Sequence, residues 1–267
     1  MIHSSAVIDN GAKIGKDVKI GPFCVVGPNV VLEDGVDLVA HVYVAGDTRI
    51  GKGTKIFPHA TIGCDPQSWG YKGEKSQIII GENNLIREYV TVHPGTEKGG
   101  MITKIGDGCM LMIGTHIAHD CQIGSHVVMA NNCMLSGHVS IGDHVNMGGG
   151  SGIHQFVRIG RGAMIGGMSG VSNDVIPYGF VVGNRGNLVG LNLVGLKRRN
   201  ISRNEIHALR NAYRLLFANE GTLAERMEDV AKMFTDNAII DEVIAFMRAN
   251  SDRNICVPAQ STMTSEV

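Results

Sequence analysis

The 267 residues include 36 Gly but only 7 Phe, 5 Tyr and 1 Trp. Glycine therefore runs at about twice its usual share of roughly 7%, which excludes an ordinary aromatic-packed α/β core. With 24 Lys+Arg against 25 Asp+Glu, the formal charge of −1 excludes bulk attraction to nucleic acid or anionic lipid, and 43% hydrophobic residues exclude a disordered polyampholyte.

The opening MIHSSAVIDNGAKIGKD lacks the basic and apolar regions of a signal peptide, so none is expected. The longest stretch without Asp, Glu, Lys or Arg, 121–142, is broken by Gln, Ser, His, Asn and Gly, and no membrane span is expected. Six Cys without paired short spacings fit reduced thiols and a cytoplasmic location better than a disulfide framework.

An aliphatic residue recurs every six positions from Ile2, Ile8, Ile14 and Ile20 to Ile56 and Ile62, eleven in succession. The phase returns at Ile80, Ile86 and Val92, then runs without a miss from Ile105 to Val171. Four residues after each aliphatic in that last run stands a small or β-branched residue, among them Cys109, Thr115, Cys121, Cys133, Val145 and Ala163. A period of six with two inward positions fits neither a helix nor an alternating strand. It fits short strands joined by tight corners, for which Gly, Asn and Asp supply the conformations. Three such strands make an 18-residue coil, and stacked coils make a parallel β-helix over 1–190. Cys24, Cys109, Cys121 and Cys133 fall at the small inward position, which predicts core packing rather than nucleophiles or ligands.

Two segments leave the repeat, 65–77 (DPQSWGYKGEKSQ) and 97–101 (EKGGM), and must loop out of the prism as functional loops or plain insertions. The hexads fade near Leu196, and a helical domain is expected over 191–267. Ser202 with Glu205 and Thr222 with Glu225 match capping boxes. Each precedes an apolar pattern at helical spacing: Ile206, Leu209, Ala212 and Leu216, then Leu223, Met227, Val230 and Met233. A third amphipathic stretch covers 239–247, and the closing PAQSTMTSEV reads as a frayed tail.

The 18-residue coil also sorts the eleven histidines. His119, His138 and His154 lie on strands beginning at Ile117, Leu135 and Ile153, successive rungs of one face, with His116 at the corner entering it. Imidazole titrates near working pH, so this cluster is the candidate general base, although single corner histidines also occur as plain solvent-facing residues. Asp120 follows His119, but neighbours on a regular strand point apart. Gly137, one rung from His119, offers a bare backbone N–H to an oxyanion. Lys197, Arg198, Arg199, Arg203, Arg210 and Arg214 form a cationic set suited to a diphosphate or an acidic protein, or else a solvated helix face.

The strings HIAHDC at 116–121, SGH at 136–138, HQFVRIG at 154–160 and GLNLVGLKRR at 190–199, set among hexapeptide repeats, resemble the UDP-N-acetylglucosamine O-acyltransferases of lipid A biosynthesis over essentially the whole chain. The resemblance implies a left-handed β-helix, against the usual handedness of crossovers. It also implies a homotrimer with active sites between subunits, an acyl carrier protein donor, a UDP-sugar acceptor, and neither cofactor nor metal. By resemblance His119 is the base, Asp120 its partner and Gly137 the oxyanion donor. His116, His138, His154 and Gln155 surround the sugar nucleotide, with Asn192, Arg198 and Arg199 near its phosphates and the carrier. In the first loop many family members carry Gln-Asp-x-Lys; here Gln67 is kept, Ser68 and Gly70 stand in place of Asp and Lys, and Lys72 lies two positions along. The missing carboxylate leaves a 3-amino sugar open as acceptor. Gly167, in one column with Asn131 and Gly149, stands where the family's acyl-length ruler resembles a stop. Its lack of a side chain implies a longer groove, which Arg185 would shorten. A zinc γ-carbonic-anhydrase-like enzyme, a later N-acyltransferase of the same pathway and a purely structural solenoid are the remaining alternatives.

Overall fold

The computed structural model describes residues 1–259; positions 260–267, most of the tail expected to fray, lie outside the described residues. Most hexads become a two-residue strand whose second residue points inward, as in Lys19–Ile20 and Lys55–Ile56, while Asp47–Ile50, Gln77–Ile80 and Ile102–Ile105 run to four residues. The strands stack into three parallel faces that form a left-handed β-helix. Face I holds nine strands from Val7–Ile8 to Gly170–Val171, face II eight from Lys13–Ile14 to Arg158–Ile159, and face III ten from Lys19–Ile20 to the hairpin Gly179–Val182 with Asn187–Leu191. Regular register is 18 residues, as in Val7 beside Val25 and Met134 beside Gly152. The two insertions stretch it, so that Thr61 pairs with Thr91 and Thr91 with His116. The first insertion stops one residue short of the expected limit, because Gln77 joins strand Gln77–Ile80 and its amide donates to Asp47.

Corners are made by residues in the left-handed backbone region, several of them not glycine: Asp120, His138 and Phe156 stack at the corner between faces I and II, with φ of 61°, 63° and 65°. Inside, aliphatic side chains from all three faces, among them Ile50, Ile86, Leu111, Leu135 and Ile165, are sealed from solvent. Each such side chain contributes roughly 1.5–3 kcal/mol by leaving water. The four cysteines at small inward positions are buried as expected, and desolvation pushes the Cys109 thiol up to about 11 and that of Cys121 up to about 12. Thiolate chemistry is thereby disfavoured at both.

The C-terminal part comprises α1 (Leu193–Arg198), α2 (Arg203–Leu216), α3 (Leu223–Met233) and α4 (Ala238–Arg248). Both capping boxes form, and α2 buries Ile206, Leu209, Ala212 and Leu216. In α3 only Val230 is fully buried, and Met233, expected inward, is exposed at the helix end. After α4 the chain returns to the β-helix: the Cys256 N–H donates to the Asp174 carbonyl at 2.7 Å and the Leu188 N–H to that of Val257 at 3.1 Å.

Candidate active site

Three features singled out separately in the sequence share one edge of the prism. The corner between faces I and II carries His119 and Asp120, then His138, then Phe156, while both insertions leave the coil two rungs and one rung earlier at that same corner. His119 and His138 thus sit on corners rather than strands and His154 lies just past strand Gly152–Ile153, whereas His116, expected at a corner, lies in strand His116–Ile117 and faces outward from face I.

The corner geometry reverses the expectation that His119 and Asp120 point apart. With Asp120 at a left-handed φ, its carboxylate turns back and Oδ2 accepts from His119 Nδ1 at 2.8 Å. Asp120 is buried. Burial alone would raise its pKa, but hydrogen bonds from His119, the Thr96 hydroxyl at 2.6 Å and the Thr96 N–H at 2.8 Å hold the carboxyl below the usual range. Its own N–H donates to Thr103 Oγ1 at 2.8 Å. Partners on Nδ1 assign the proton there, leaving Nε2 as the free basic nitrogen. Gly137 lies against that edge: a Cβ at Gly137 would stand 2.8 Å from Nε2 and 2.5 Å from Cε1 of His119.

The other histidines divide into three environments. His138 packs edge-on to His119, with ring centroids 5.0 Å apart, and stacks on Phe156 at 4.5 Å. Burial lowers its pKa, opposed by Asp120, whose Oδ2 is 3.8 Å away. His116 accepts or donates at Thr91 Oγ1 (2.8 Å), and burial, then His93, lowers its pKa. His154 is exposed, one rung beyond His138, and is engaged by Arg253 at 2.6 Å; Arg253 Nε also donates to the Gln155 carbonyl at 3.0 Å.

His93 was missed in the sequence. It is buried beside His116, with ring centroids 5.3 Å apart, and donates from Nδ1 to the carbonyls of Asp65 (2.9 Å) and Cys64 (3.2 Å), pinning the root of the first loop. In that loop Gln67 and Lys72 are exposed and Ser68 is half-buried, its Oγ accepting the Gly70 N–H at 3.3 Å. Glu74 ties the loop to itself through the Lys72 N–H (2.7 Å) and to the second insertion through the Glu97 N–H (3.3 Å).

The remaining sequence-selected residues lie elsewhere on the same chain. Asn192 caps α1 and donates to the Gly162 carbonyl at 3.0 Å, at the corner between faces II and III. There Arg198 and Arg199 line a cleft with His126, His144 and Asn146. Arg199 is only partly available: its guanidinium lies 5.3 Å from the Tyr178 ring centre, and its Nη2 is buried without a hydrogen-bond partner among the described residues. Lys197, Arg203 and Arg210 line a second cleft with His207, so five of the six cations divide between two clefts and Arg214 lines neither. Gly167 stacks on Gly149 and Asn131 at the corner between faces III and I, and Arg185 is exposed in the hairpin turn.

A family profile described as UDP-N-acetylglucosamine O-acyltransferase, domain 2, matches residues 174–256, and one for bacterial transferase hexapeptides matches 1–34, 11–46 and 102–137. An acyl-carrier-protein UDP-N-acetylglucosamine O-acyltransferase of Caulobacter vibrioides is 52% identical over 96% of this chain and 98% of its own. The chain belongs to the UDP-N-acetylglucosamine O-acyltransferase family. A family member from Azorhizobium caulinodans is 47% identical over 100% of this chain and 98% of its own. Among solved structures, a UDP-N-acetylglucosamine acyltransferase matches with a TM-score of 0.94 at 43% identity, covering 97% of this chain and 99% of its own. The one from Acinetobacter baumannii matches with a TM-score of 0.90 at 42% identity, covering 96% and 99%. Among the described residues of this family member, no helix is long and apolar enough to cross a membrane.

Proposed function

We propose that the protein transfers a 3-hydroxyacyl chain from acyl carrier protein to the 3-position of UDP-N-acetylglucosamine, the first step of lipid A biosynthesis, in the cytoplasm and by direct attack on the thioester. The observation that carries this is the His119 Nδ1 contact with buried Asp120, which leaves Nε2 free beside Gly137. Nε2 takes the proton of the sugar hydroxyl as its oxygen attacks the thioester carbonyl. The Gly137 N–H meets the oxygen that becomes negative. Collapse breaks the C–S bond, and the imidazolium gives the proton to the departing thiolate, which leaves as the thiol. Asp120 stays ionised throughout and stabilises the imidazolium.

The roles given to Gln67, Ser68, Lys72, His116, His138, His154 and Gln155 fall on the corner of His119, its insertions or the adjoining face I. Asn192, Arg198 and Arg199 lie at another corner, a whole face away, to bind phosphates and the carrier. A homotrimer with sites between subunits brings one protomer's His119 to its neighbour's Arg198. On face I the outward residues beyond His116 are Met134, Gly152 and Gly170. Two glycines make a shallow floor leading toward Gly167, so the acyl chain is a longer one of about 12 to 14 carbons, bounded by Gly167 and Arg185.

A zinc centre of three imidazoles is less well supported. His119 and His138 converge on Asp120, but both Asp120 oxygens already accept hydrogen bonds, and Arg253 engages His154.

The test is incubation with UDP-N-acetylglucosamine and a mixed-length 3-hydroxyacyl carrier protein pool, with products identified by mass spectrometry. One UDP-sugar ester of a single chain length is expected; absence of any ester from wild type overturns the reaction. Gly137→Ala is expected to lower kcat by about a hundredfold with thermal unfolding unchanged. Gly137 has no left-handed φ, so the imidazole is the obstacle its methyl meets. Wild-type kcat in that variant would remove Gly137 from the site.

A second reading, an amide product from a 3-amino UDP-sugar, is favoured by Ser68, a neutral residue engaged with the Gly70 N–H where a carboxylate is usual in the family. Competition between the two UDP-sugars decides. If wild type prefers the amine and Ser68→Asp reverses the order, the product is an amide; preference of wild type for the hydroxyl sugar closes that reading.

A further inference from the structure

Thr96, at the root of the second insertion, makes the shortest hydrogen bond to the Asp120 carboxylate. The insertion's single turn, Glu97–Gly99, follows Thr96, whose N–H donates to Asp120 Oδ1 at 2.8 Å and whose hydroxyl donates to Oδ2 at 2.6 Å. Oδ2 is the oxygen that also faces His119. The backbone closes so tightly that a Cβ at Gly99 would stand 1.9 Å from Asp120 Cγ, and one at Gly95 2.8 Å from Oδ1. Neither glycine has a left-handed φ, so contact with Asp120 rather than backbone conformation makes a side chain costly at Gly99. Thr96 is itself buried. The Asp120 side chain is 0% exposed, and the insertion is what lies over it.

We infer that Thr96 is a positioning residue for the transfer reaction: its hydroxyl fixes the Asp120 carboxylate against His119, and the loop that closes at Gly99 keeps water from that carboxylate. An ionised, buried carboxylate needs donors on both oxygens. His119 supplies one and leaves both its own orientation and that of Asp120 dependent on the others. Rotation of Asp120 about its terminal bond would carry Oδ2 off Nδ1, and the imidazole would lose the contact that points Nε2 at the acceptor. The two Thr96 donors, one on each oxygen, block that rotation. The Thr96 hydroxyl also draws charge from Oδ2. The titratable groups facing the pair are the two partners themselves and His138, 3.8 Å from Oδ2; Thr96 and Thr103 are neutral.

This rests on the base role proposed for His119, so the test separates the two. Thr96→Val keeps shape and the backbone donor and removes the hydroxyl; Thr96→Ser restores it. Loss of the donor is expected to lower kcat about tenfold with KM little changed. The acid limb of kcat/KM is expected to move to higher pH, because the Asp120 carboxylate, relieved of the competing Thr96 hydroxyl, holds the imidazolium more strongly. Thr96→Ser is expected to match wild type in both. A second readout needs no turnover: the pH dependence of carbethoxylation at His119, followed by peptide mass spectrometry, should move in the same sense in Thr96→Val. Thr96→Val with unchanged kcat and unchanged acid limb overturns the inference, as does Thr96→Ser behaving like Thr96→Val, which would mark the methyl packing as the relevant feature. If wild type shows no transfer but carbethoxylation still shifts, the function proposed above fails while the positioning role of Thr96 stands.

Discussion

His119→Ala is expected to lower kcat by about 10² to 10⁴-fold, the range that a positioned acid–base group supplies, while leaving the fold and KM for the UDP-sugar nearly intact. The imidazole lies at a corner and is partly exposed, so its removal leaves no aliphatic cavity; what disappears is the imidazole whose Nε2 lies beside Gly137. Asp120→Asn should act in the same sense and less strongly, since the amide keeps an acceptor for Nδ1 while losing the charge that stabilises imidazolium. The two losses should not multiply. In the proposed mechanism Asp120 acts through His119, so the double variant should resemble His119→Ala alone. Single-turnover transfer measured by mass spectrometry, with circular dichroism to check the fold, reads these effects. Wild-type kcat in His119→Ala would sink the mechanism, and full multiplication of the losses would give Asp120 a separate role.

The β-helix was legible because its signal is redundant: one inward aliphatic in every hexad, with small partners such as Cys121 and Cys133 at the other inward position. The capping boxes at Ser202 and Thr222 were legible because each is local in sequence. The His119–Asp120 contact was not, since strand alternation predicts divergence and only the left-handed φ of Asp120 turns its carboxylate back. Neither was the closure of Thr96 and Gly99 over Asp120. It joins residues 24 apart through an insertion that breaks the period, and no spacing rule reaches across such a break. His93 escaped for a related reason: its partners are carbonyls at the root of the other insertion. Helix α1 is six residues long, too short for a periodic pattern, and the tie of Arg253 to His154 spans 99 residues. Local order was readable from residue type, whereas the site depends on what two non-repeating loops do at one corner.

A coupling between packing and activity follows from the stacked coils. Ile117 is fully buried in the coil that carries His119, bridging Val92 on one side and Leu135 on the other. Ile117→Ala leaves a cavity that these short strands cannot close, with an expected cost of about 2–5 kcal/mol. Ile56→Ala, equally buried on face III but several coils earlier, should cost a similar amount. Because each coil contacts only its neighbours, the distortion stays within one or two rungs. The two variants should therefore lose similar stability, read as urea midpoints at one protomer concentration, while Ile117→Ala loses far more kcat at a temperature where both remain folded. The corner that sets Nε2 against Gly137 is two residues from Ile117, and a displacement of a few tenths of an ångström there breaks alignment that Ile56 does not touch. Equal losses of activity would show that the β-helix transmits strain along its length and that the site depends on the whole stack rather than on its own coil.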